Sequence, residues 1–365
     1  MMKYLDEYRD AGLARSIAGE IKRVSRRPST LMEVCGSHTV AIHRSGLKNL
    51  LPDNVRLVSG PGCPVCVTSR ADVDRAIHLA KKPGVIFTTF GDMMRVPGSD
   101  TSLTEEKAAG ADVRVVYSPA DALVAAVQNP DRRVIFFAAG FETTAPAVAA
   151  TLLRAQRAGT DNFAVFAVHK MVPPAMRALL SMGEVALDGF ICPGHVSIII
   201  GSDAYRFAAG DFRKPSVVCG FEPVDILQGI LMLVRQLEEG RSEVEIEYRR
   251  NVTPKGNEKA RQIMDRVFRT TDAWWRGIGS IPGSGMELKK EFGGYDARHF
   301  ITAEYEDDAA DPPGCSCGEV LKGVLEPEEC PLYGNECTPE TPVGPCMVSS
   351  EGSCAAHYRY SLYDQ

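Results

Sequence analysis

Apolar residues recur along the chain in short runs, separated by turns rich in Gly, Pro and Thr and then by amphipathic stretches. The runs are VRLV (55–58), VIFTTF (85–90), VRVVY (113–117), VIFFA (134–138), FAVFAV (163–168), LDGFI (187–191) and SVVC (216–219). Each is strand-length and rich in β-branched or aromatic side chains. Helical periodicity follows several of them, over 70–81, 119–128, 144–158 and 223–239. This alternation predicts parallel sheets covered by helices. The expected fold is α/β: two Rossmann-like domains with parallel sheets facing a cleft, followed by a cysteine-rich C-terminal domain.

The pattern divides the chain into an N-terminal helical segment (1–29), a first α/β domain (30–130), a second (131–240) and a C-terminal region (241–365). Segments 84–98 and 133–147 resemble each other, each a strand followed by Gly, an acid and Pro, which hints at duplication. EVEIEYRRNV (243–252) reads as an edge strand and 256–269 as a helix. After residue 310 regular periodicity ends, and Pro, Gly and Cys crowd together. Such a tail buries little apolar surface, so a metal centre is the expected organiser.

Composition narrows the functional classes. Of 365 residues, 44% are apolar and 24% charged, and the net charge of −6 disfavours a general nucleic-acid binder. No apolar run approaches the roughly 20 residues of a membrane span. The N-terminus lacks a signal-peptide core, which predicts a cytoplasmic protein. Eleven cysteines in a reducing compartment point to metal or redox chemistry rather than structural disulfides.

The unusual strings fall at the carboxyl ends of the expected strands, where open parallel sheets bind ligands. GPGCPVC (60–66) carries Cys63 and Cys66 at a spacing that lets both sulfurs approach one metal or close a small disulfide ring. The helix that follows is expected to depress a thiol pKa through its dipole. MEVCGSHT (32–39) sets Cys35 beside His38, with Gly36 allowing a tight turn. Thiolate suits soft iron, and imidazole ligates or moves protons. Glu142, Thr143 and Thr144 suit either a polar ligand or helix capping, which is the commoner role. His169 and His195 are candidate cleft histidines. Cys219 reads as buried filler.

The tail holds Cys315, Cys317, Cys330, Cys337, Cys346 and Cys354. Zinc ribbons use paired Cys-x-x-Cys knuckles, which the tail lacks. Irregular spacing around compact loops suits an iron–sulfur cluster. The favoured ligands are Cys330, Cys337, Cys346 and Cys354, with Cys315 and Cys317 as a spare pair, or the reverse exchange. Structural zinc is the alternative.

Together with FTTFGDMMRVPG, AAGFETTAP, HKMVPPAM, ICPGHVSIIIG, CGFEPVDILQGI and the tail from Cys330, these strings resemble the HypD family of hydrogenase maturation proteins, from about residue 30 to the C-terminus. The resemblance implies two α/β domains around a cleft and a third domain holding a [4Fe-4S] cluster. It implies a scaffold that, in a stable complex with HypC, carries Fe(II) bearing two cyanides and one CO. Cyanide would come from HypE, supplied through HypF, and the finished Fe(CN)2CO unit would pass to the large subunit of a [NiFe] hydrogenase. Neither nucleic acid nor membrane is an expected partner. Cys35, Cys63 and Cys66 match the family's functional thiols, with electrons relayed from the cluster. His38 would hydrogen-bond a bound cyanide or orient Cys35, while Met93, Met94 and Phe141 would keep water from the iron. The protein is expected to act as a redox-active assembly scaffold rather than a conventional turnover enzyme. A stand-alone iron–sulfur thiol–disulfide oxidoreductase and a non-redox zinc platform are the competing readings.

Overall fold

The computed structural model describes residues 6–305 and 312–360. Eleven strands occur among them. They are β1 (Ser29–Glu33), β2 (Val55–Ser59), β3 (Val85–Thr89), β4 (Val113–Val115), β5 (Arg133–Ala138), β6 (Phe163–Ala167), β7 (Gly189–Pro193), β8 (Ser216–Cys219), β9 (Val244–Ile246), β10 (Phe268–Trp275) and β11 (Gly279–Leu288). Two sheets are wholly parallel. One has five strands in the order β2-β1-β7-β8-β9, the other four in the order β4-β3-β5-β6. Strands β10 and β11 form an antiparallel hairpin. The expected α/β fold with two Rossmann-like units is present.

The sheets partition the chain differently from the expected division near residue 130. Strands β3 and β5 pair directly, from Val85↔Arg133 to Thr89↔Phe137, so that boundary would cut the four-stranded sheet. The first unit is discontinuous: β1 and β2 join β7, β8 and β9, which follow the whole of the second unit. The region after 240 is also shared out. Strand β9 edges the five-stranded sheet, while Glu258–Val267 packs on Ala145–Ala158 of the other unit. Strand order depends on long-range pairing, which the periodicity of one strand does not encode. The two resembling segments contain β3 and β5, neighbours in one sheet.

Helices on both faces explain why the strands are continuously apolar. In β5, Val134 to Ala138 are all fully buried. Helix Ala145–Ala158 covers that sheet, with Pro146 in its first turn and Gly159 ending it in the left-handed conformation at φ 64°. Helix Pro119–Gln128 starts on a reciprocal capping box between Ser118 and Asp121. Ala11–Val24 packs against Pro223–Glu238 outside the five-stranded sheet. The hairpin lies along the end of β6, where the Met171 amide donates to the Ser284 carbonyl and the Met286 amide to that of His169, at 2.8 and 3.2 Å.

The cysteine-rich segment is held between the units. Its last helix, Ser353–Tyr360, packs on Gly36–Arg44, and Pro345–Val348 packs on Pro64–Val67. Arg95, from the four-stranded unit, donates to the carbonyls of Pro339 and Val348 at 3.1 and 3.2 Å. None of the described helices is long and apolar enough to cross a membrane.

Candidate thiol centre

Cys35 sits where β1 runs out. It takes the N-cap position of Gly36–Arg44 in an extended conformation. Two glycines let its backbone press against its neighbours. A Cβ on Gly62 would fall 2.1 Å from the Cys35 nitrogen, and one on Gly36 would fall 2.5 Å from Glu351 Cβ. The Gly36 amide donates to the Gly62 carbonyl at 2.9 Å, locking the Cys35 loop onto the Cys63–Cys66 turn. Gly36 therefore serves close approach rather than a tight turn.

Two carboxylates bracket Cys35. Glu33 Oε2 accepts from the Cys35 amide at 2.9 Å, and its Oε1 accepts from Thr39 Oγ1 at 2.5 Å. Burial pushes the Glu33 carboxyl up to about 7 against these hydrogen bonds. Glu351, from the cysteine-rich segment, accepts from Ser37 Oγ at 2.6 Å. Desolvation, then Glu351 and Glu33, raise the Cys35 thiol to about 12. Cys35 alone is therefore a thiol, and a bound cation would be needed to make it a thiolate at neutral pH.

His38 is fully buried, and its Nε2 lies 2.8 Å from the Gly220 carbonyl. A carbonyl only accepts, so Nε2 carries the proton, and burial lowers the ring to about 4, leaving it neutral. Its only N–H is thus committed to Gly220. That bond leaves no ring donor for a cyanide. The rings of His38 and His195 both stack on Phe221, with centroids 4.8 and 4.0 Å away.

Cys63 caps the short helix Pro64–Val67, its sulfur accepting from the Cys66 amide at 3.3 Å. Cys66 is fully buried, with its sulfur 3.8 Å from the Pro345 carbonyl. The thiols of Cys346 and Cys63 are its neighbours and act on its ionisation. Burial raises its pKa well above the ordinary thiol value, so the expected depression by a helix dipole does not hold there. The following helix, Arg70–Ala80, is capped by Ser69 and has Asp72 in its first turn, so its N-terminus is already satisfied.

The tail thiols continue this line. The ionisation of Cys346 is influenced by its neighbours Cys317, Cys354 and Cys66, and that of Cys354 by Cys317 and Cys346. Gly344 is the cradle for two more sulfurs, since a Cβ there would meet Cys317 Sγ at 2.5 Å and Cys315 Sγ at 2.7 Å. Cys337 Sγ accepts from the Val343 amide at 3.4 Å, and Cys330 Sγ lies 3.9 Å from the Gly314 carbonyl. None of the eleven cysteines is in a disulfide. Among the described residues no three His, Cys, Asp or Glu side chains converge on a single-ion site. A cubane cluster spreads its four ligands more widely, and the six soft thiols of this segment, two of them at the Gly344 hollow, are a donor set whose chemistry fits one.

The remaining candidates have structural partners. Glu142 Oε1 accepts from the Val172 amide at 3.0 Å, capping Val172–Met182, and burial lifts the carboxyl to about 7. Thr144 occupies the N-cap of Ala145–Ala158 without a side-chain cap bond and donates instead to the Phe141 carbonyl at 3.3 Å. Met93 and Met94 are core residues, and Phe141 stacks on Trp275 at 5.9 Å. Cys219 fills the crossing at Gly229, where a Cβ would fall 2.0 Å from its sulfur, as buried filler should. His169 packs near Phe268, with ring centroids 5.7 Å apart. Sequence reasoning missed Glu33, Glu351 and Trp275. Glu33 stood inside the MEVCGSHT string, but Glu351 carried no local signal.

Fold and site together define a two-unit α/β protein whose carboxyl-end loops, bearing Cys35, Cys63 and Cys66, pack against a cysteine-rich tail. Residues 12–361 match the family model described as HypD, Hydrogenase formation hypA family. The chain is 49% identical over 373 residues to the hydrogenase maturation factor HypD of Azotobacter vinelandii, covering 100% of this chain and 98% of the relative. It is 48% identical over 368 residues to the HypD of Escherichia coli (98% of each chain), and 48% identical over 372 residues to that of Rhizobium leguminosarum (99% and 96%). The chain belongs to the HypD family of hydrogenase maturation factors.

Proposed function

We propose that this protein is the scaffold on which, together with HypC, iron acquires two cyanides and one CO before delivery to a [NiFe] hydrogenase large subunit. The observation that carries the reading is the packing of Pro345–Val348 on the Cys63–Cys66 turn, with the Cys66 sulfur 3.8 Å from the Pro345 carbonyl, which sets the Cys-x-x-Cys turn beside Cys346. The iron is cargo. Cys35 binds it as thiolate, losing its proton as the cation arrives, and HypC supplies a further ligand. Glu33 fixes the Cys35 backbone, and His38 holds the Gly36–Arg44 helix against Gly220.

Cyanide from HypE arrives as a thiocyanate-type donor, and its release is reductive. Two thiols, Cys63 and Cys66, become a disulfide and give up two electrons and two protons. The donor's S–CN bond breaks, its sulfur leaves as a thiol, and cyanide is freed with the other proton. The disulfide must then be reduced for another round. Cys346 and Cys317 are the neighbouring dithiol and exchange with it through Cys66. The position of Cys346 beside Cys66 favours a different division of the tail thiols from the one first expected, with Cys315, Cys330, Cys337 and Cys354 as the ligands of a [4Fe-4S] cluster. When bound, such a cluster supplies single electrons. Gly344 leaves room for the sulfurs of Cys315 and Cys317.

The test is infrared spectroscopy on anaerobic protein co-purified with HypC. Bands of metal-bound CO and cyanide should be present and should vanish in Cys35→Ala. A preparation with an intact cluster but no such bands would instead favour the stand-alone thiol–disulfide oxidoreductase.

A further inference from the structure

Asp225, Glu247 and Arg250 meet at the carboxyl end of β8, beside the thiol centre. Asp225 lies in the first turn of Pro223–Glu238 and is fully buried. Arg250 pairs with it twice, Nη1 to Oδ1 at 2.9 Å and Nη2 to Oδ2 at 2.6 Å. The guanidinium packs against two aromatic rings, with the Tyr8 and Tyr248 centroids 4.0 and 4.3 Å away. Asp225 Oδ2 also accepts from the Glu222 amide at 3.2 Å. A bidentate ion pair held against two rings makes a rigid base.

This base closes on Gly220, the residue whose carbonyl accepts from His38 Nε2. The Gly220 amide donates to Glu247 Oε2 at 3.0 Å. A Cβ on Gly220 would overlap the Asp225 carboxylate and meet the Tyr248 ring at 2.8 Å, so glycine lets the peptide lie directly on the cluster. Glycine is also the least constrained backbone position. Having no side chain, Gly220 is held by its two polar main-chain groups, one on Glu247 and the other on His38. His38 in turn opens the Gly36–Arg44 helix, where its amide and that of Thr39 donate to the Cys35 carbonyl at 2.8 and 3.1 Å. Successive hydrogen bonds thus lead from Glu247 to the Cys35 backbone.

We propose that Glu247 is a positioning residue for Cys35, acting through Gly220 and His38, with Asp225 and Arg250 as its fixed base. The inference rests on Cys35 being the iron-binding thiol of the proposed function. Burial, then the Asp225 charge, holds the Glu247 carboxyl above the ordinary range. A protonated carboxyl keeps an acceptor oxygen, so Gln is close to it in shape and preserves the bond to Gly220. Ala removes the acceptor and leaves the Gly220 amide without its partner. The Gly220 carbonyl then loses its fixed direction, and the His38 ring loses its hold.

The experiment follows the His38 ring proton by NMR of the full chain, isotope-labelled in histidine and prepared without iron. The Nε2–H tautomer should be seen, with slow exchange against solvent. Glu247→Ala should speed that exchange roughly ten- to a hundredfold, and alkylation of Cys35 by iodoacetamide should quicken several-fold. Glu247→Gln should keep both at the parent values. Glu245→Ala removes an acid that pairs with Arg241 instead and should change neither. Because Glu247→Ala can fail to fold, the parent chain supplies a second measurement. In rising urea its His38 ring proton and Gly220 amide should exchange with one shared opening free energy. Unchanged His38 exchange or Cys35 alkylation in Glu247→Ala, impairment in Glu247→Gln equal to that in Ala, or a His38 proton that opens independently of Gly220 would overturn the proposal. All of these are read on the chain without iron, so they stand apart from the infrared test of the iron reading.

Discussion

The Cys66 sulfur lies 3.8 Å from the carbonyl of Pro345, the residue before Cys346, across the seam between the first α/β unit and the cysteine-rich segment. Mild oxidation with diamide should therefore trap disulfides that join the peptide around residue 66 to the peptide around residue 346. Peptide mass spectrometry of the non-reduced protein would detect them. Cys66→Ser should remove the cross-link while leaving links among the tail thiols. Finding Cys66 joined to Cys63 alone, under every oxidant dose, would rule out the exchange route proposed for these residues.

Gly344 offers a test of the sulfur hollow. A Cβ there would overlap the sulfurs of Cys315 and Cys317. Overpacking of this kind costs about 1–3 kcal/mol, and here it would push the Cys315 and Cys317 sulfurs apart. Gly344→Ala should lose the visible absorption of the proposed cluster and melt earlier. Gly293→Ala, where an added Cβ meets nothing within 4 Å, is the control and should change neither.

Glu351 holds the Cys35 thiol up by its charge. Replacing it with the neutral Gln keeps the shape and removes the charge, so the thiol pKa should fall. A lower pKa means more thiolate at a given pH, and alkylation of Cys35 by iodoacetamide at pH 8 should quicken several-fold. The rate is followed by mass spectrometry of the Cys35 peptide. An unchanged or slower rate would show that Glu351 does not set the protonation of Cys35.

Glu142 makes stability depend on pH. Its folded pKa, about 7, lies above the ordinary 4.5, so between those values the folded chain holds the extra proton. Its contribution is therefore largest below pH 4.5 and is lost as pH rises through 7. Glu142→Gln mimics the protonated form. It should be more stable than the parent at pH 8, by about 2 kcal/mol, and the difference should shrink toward pH 4.5. Urea denaturation at several pH values measures it. A constant difference across that range would contradict the assignment.

Much of the fold was legible because buried parallel strands are continuous apolar runs. The seven runs read from the pattern, from VRLV to SVVC, each coincide with a strand, and the four helical patterns with helices. Strand β1 was missed although it is central, because STLME mixes polar residues into a five-residue stretch. The β10–β11 hairpin was missed as well: FRTTDAWW carries exposed polar positions, and glycines interrupt its partner. Sheet order was illegible, since nothing local in β1 says that β7 will lie beside it. At the site, Cys35, Cys63 and Cys66 announced themselves by spacing and turn residues. The contacts of Glu351 with Ser37 and of Pro345 with Cys66 arise only from tertiary packing.

The insertion of one unit into the other has a consequence for how the chain is made. Strand β1 ends at Glu33, and its inner partner β7 begins only at Gly189. At roughly 5–20 residues per second on the ribosome, the wait is on the order of ten seconds. During it the four-stranded unit, contiguous from β3 to β6, is free to close while the N-terminal strands stand half-paired. The Cys35 loop waits longer still, because Glu351 and the helix that packs on Gly36–Arg44 emerge at the very end. The birth order of the protein thus runs from its middle outward, and the thiols are brought together last. A half-made chain holds Cys35, Cys63 and Cys66 without the tail that completes their surroundings, so these thiols acquire their final neighbours only near the end of synthesis.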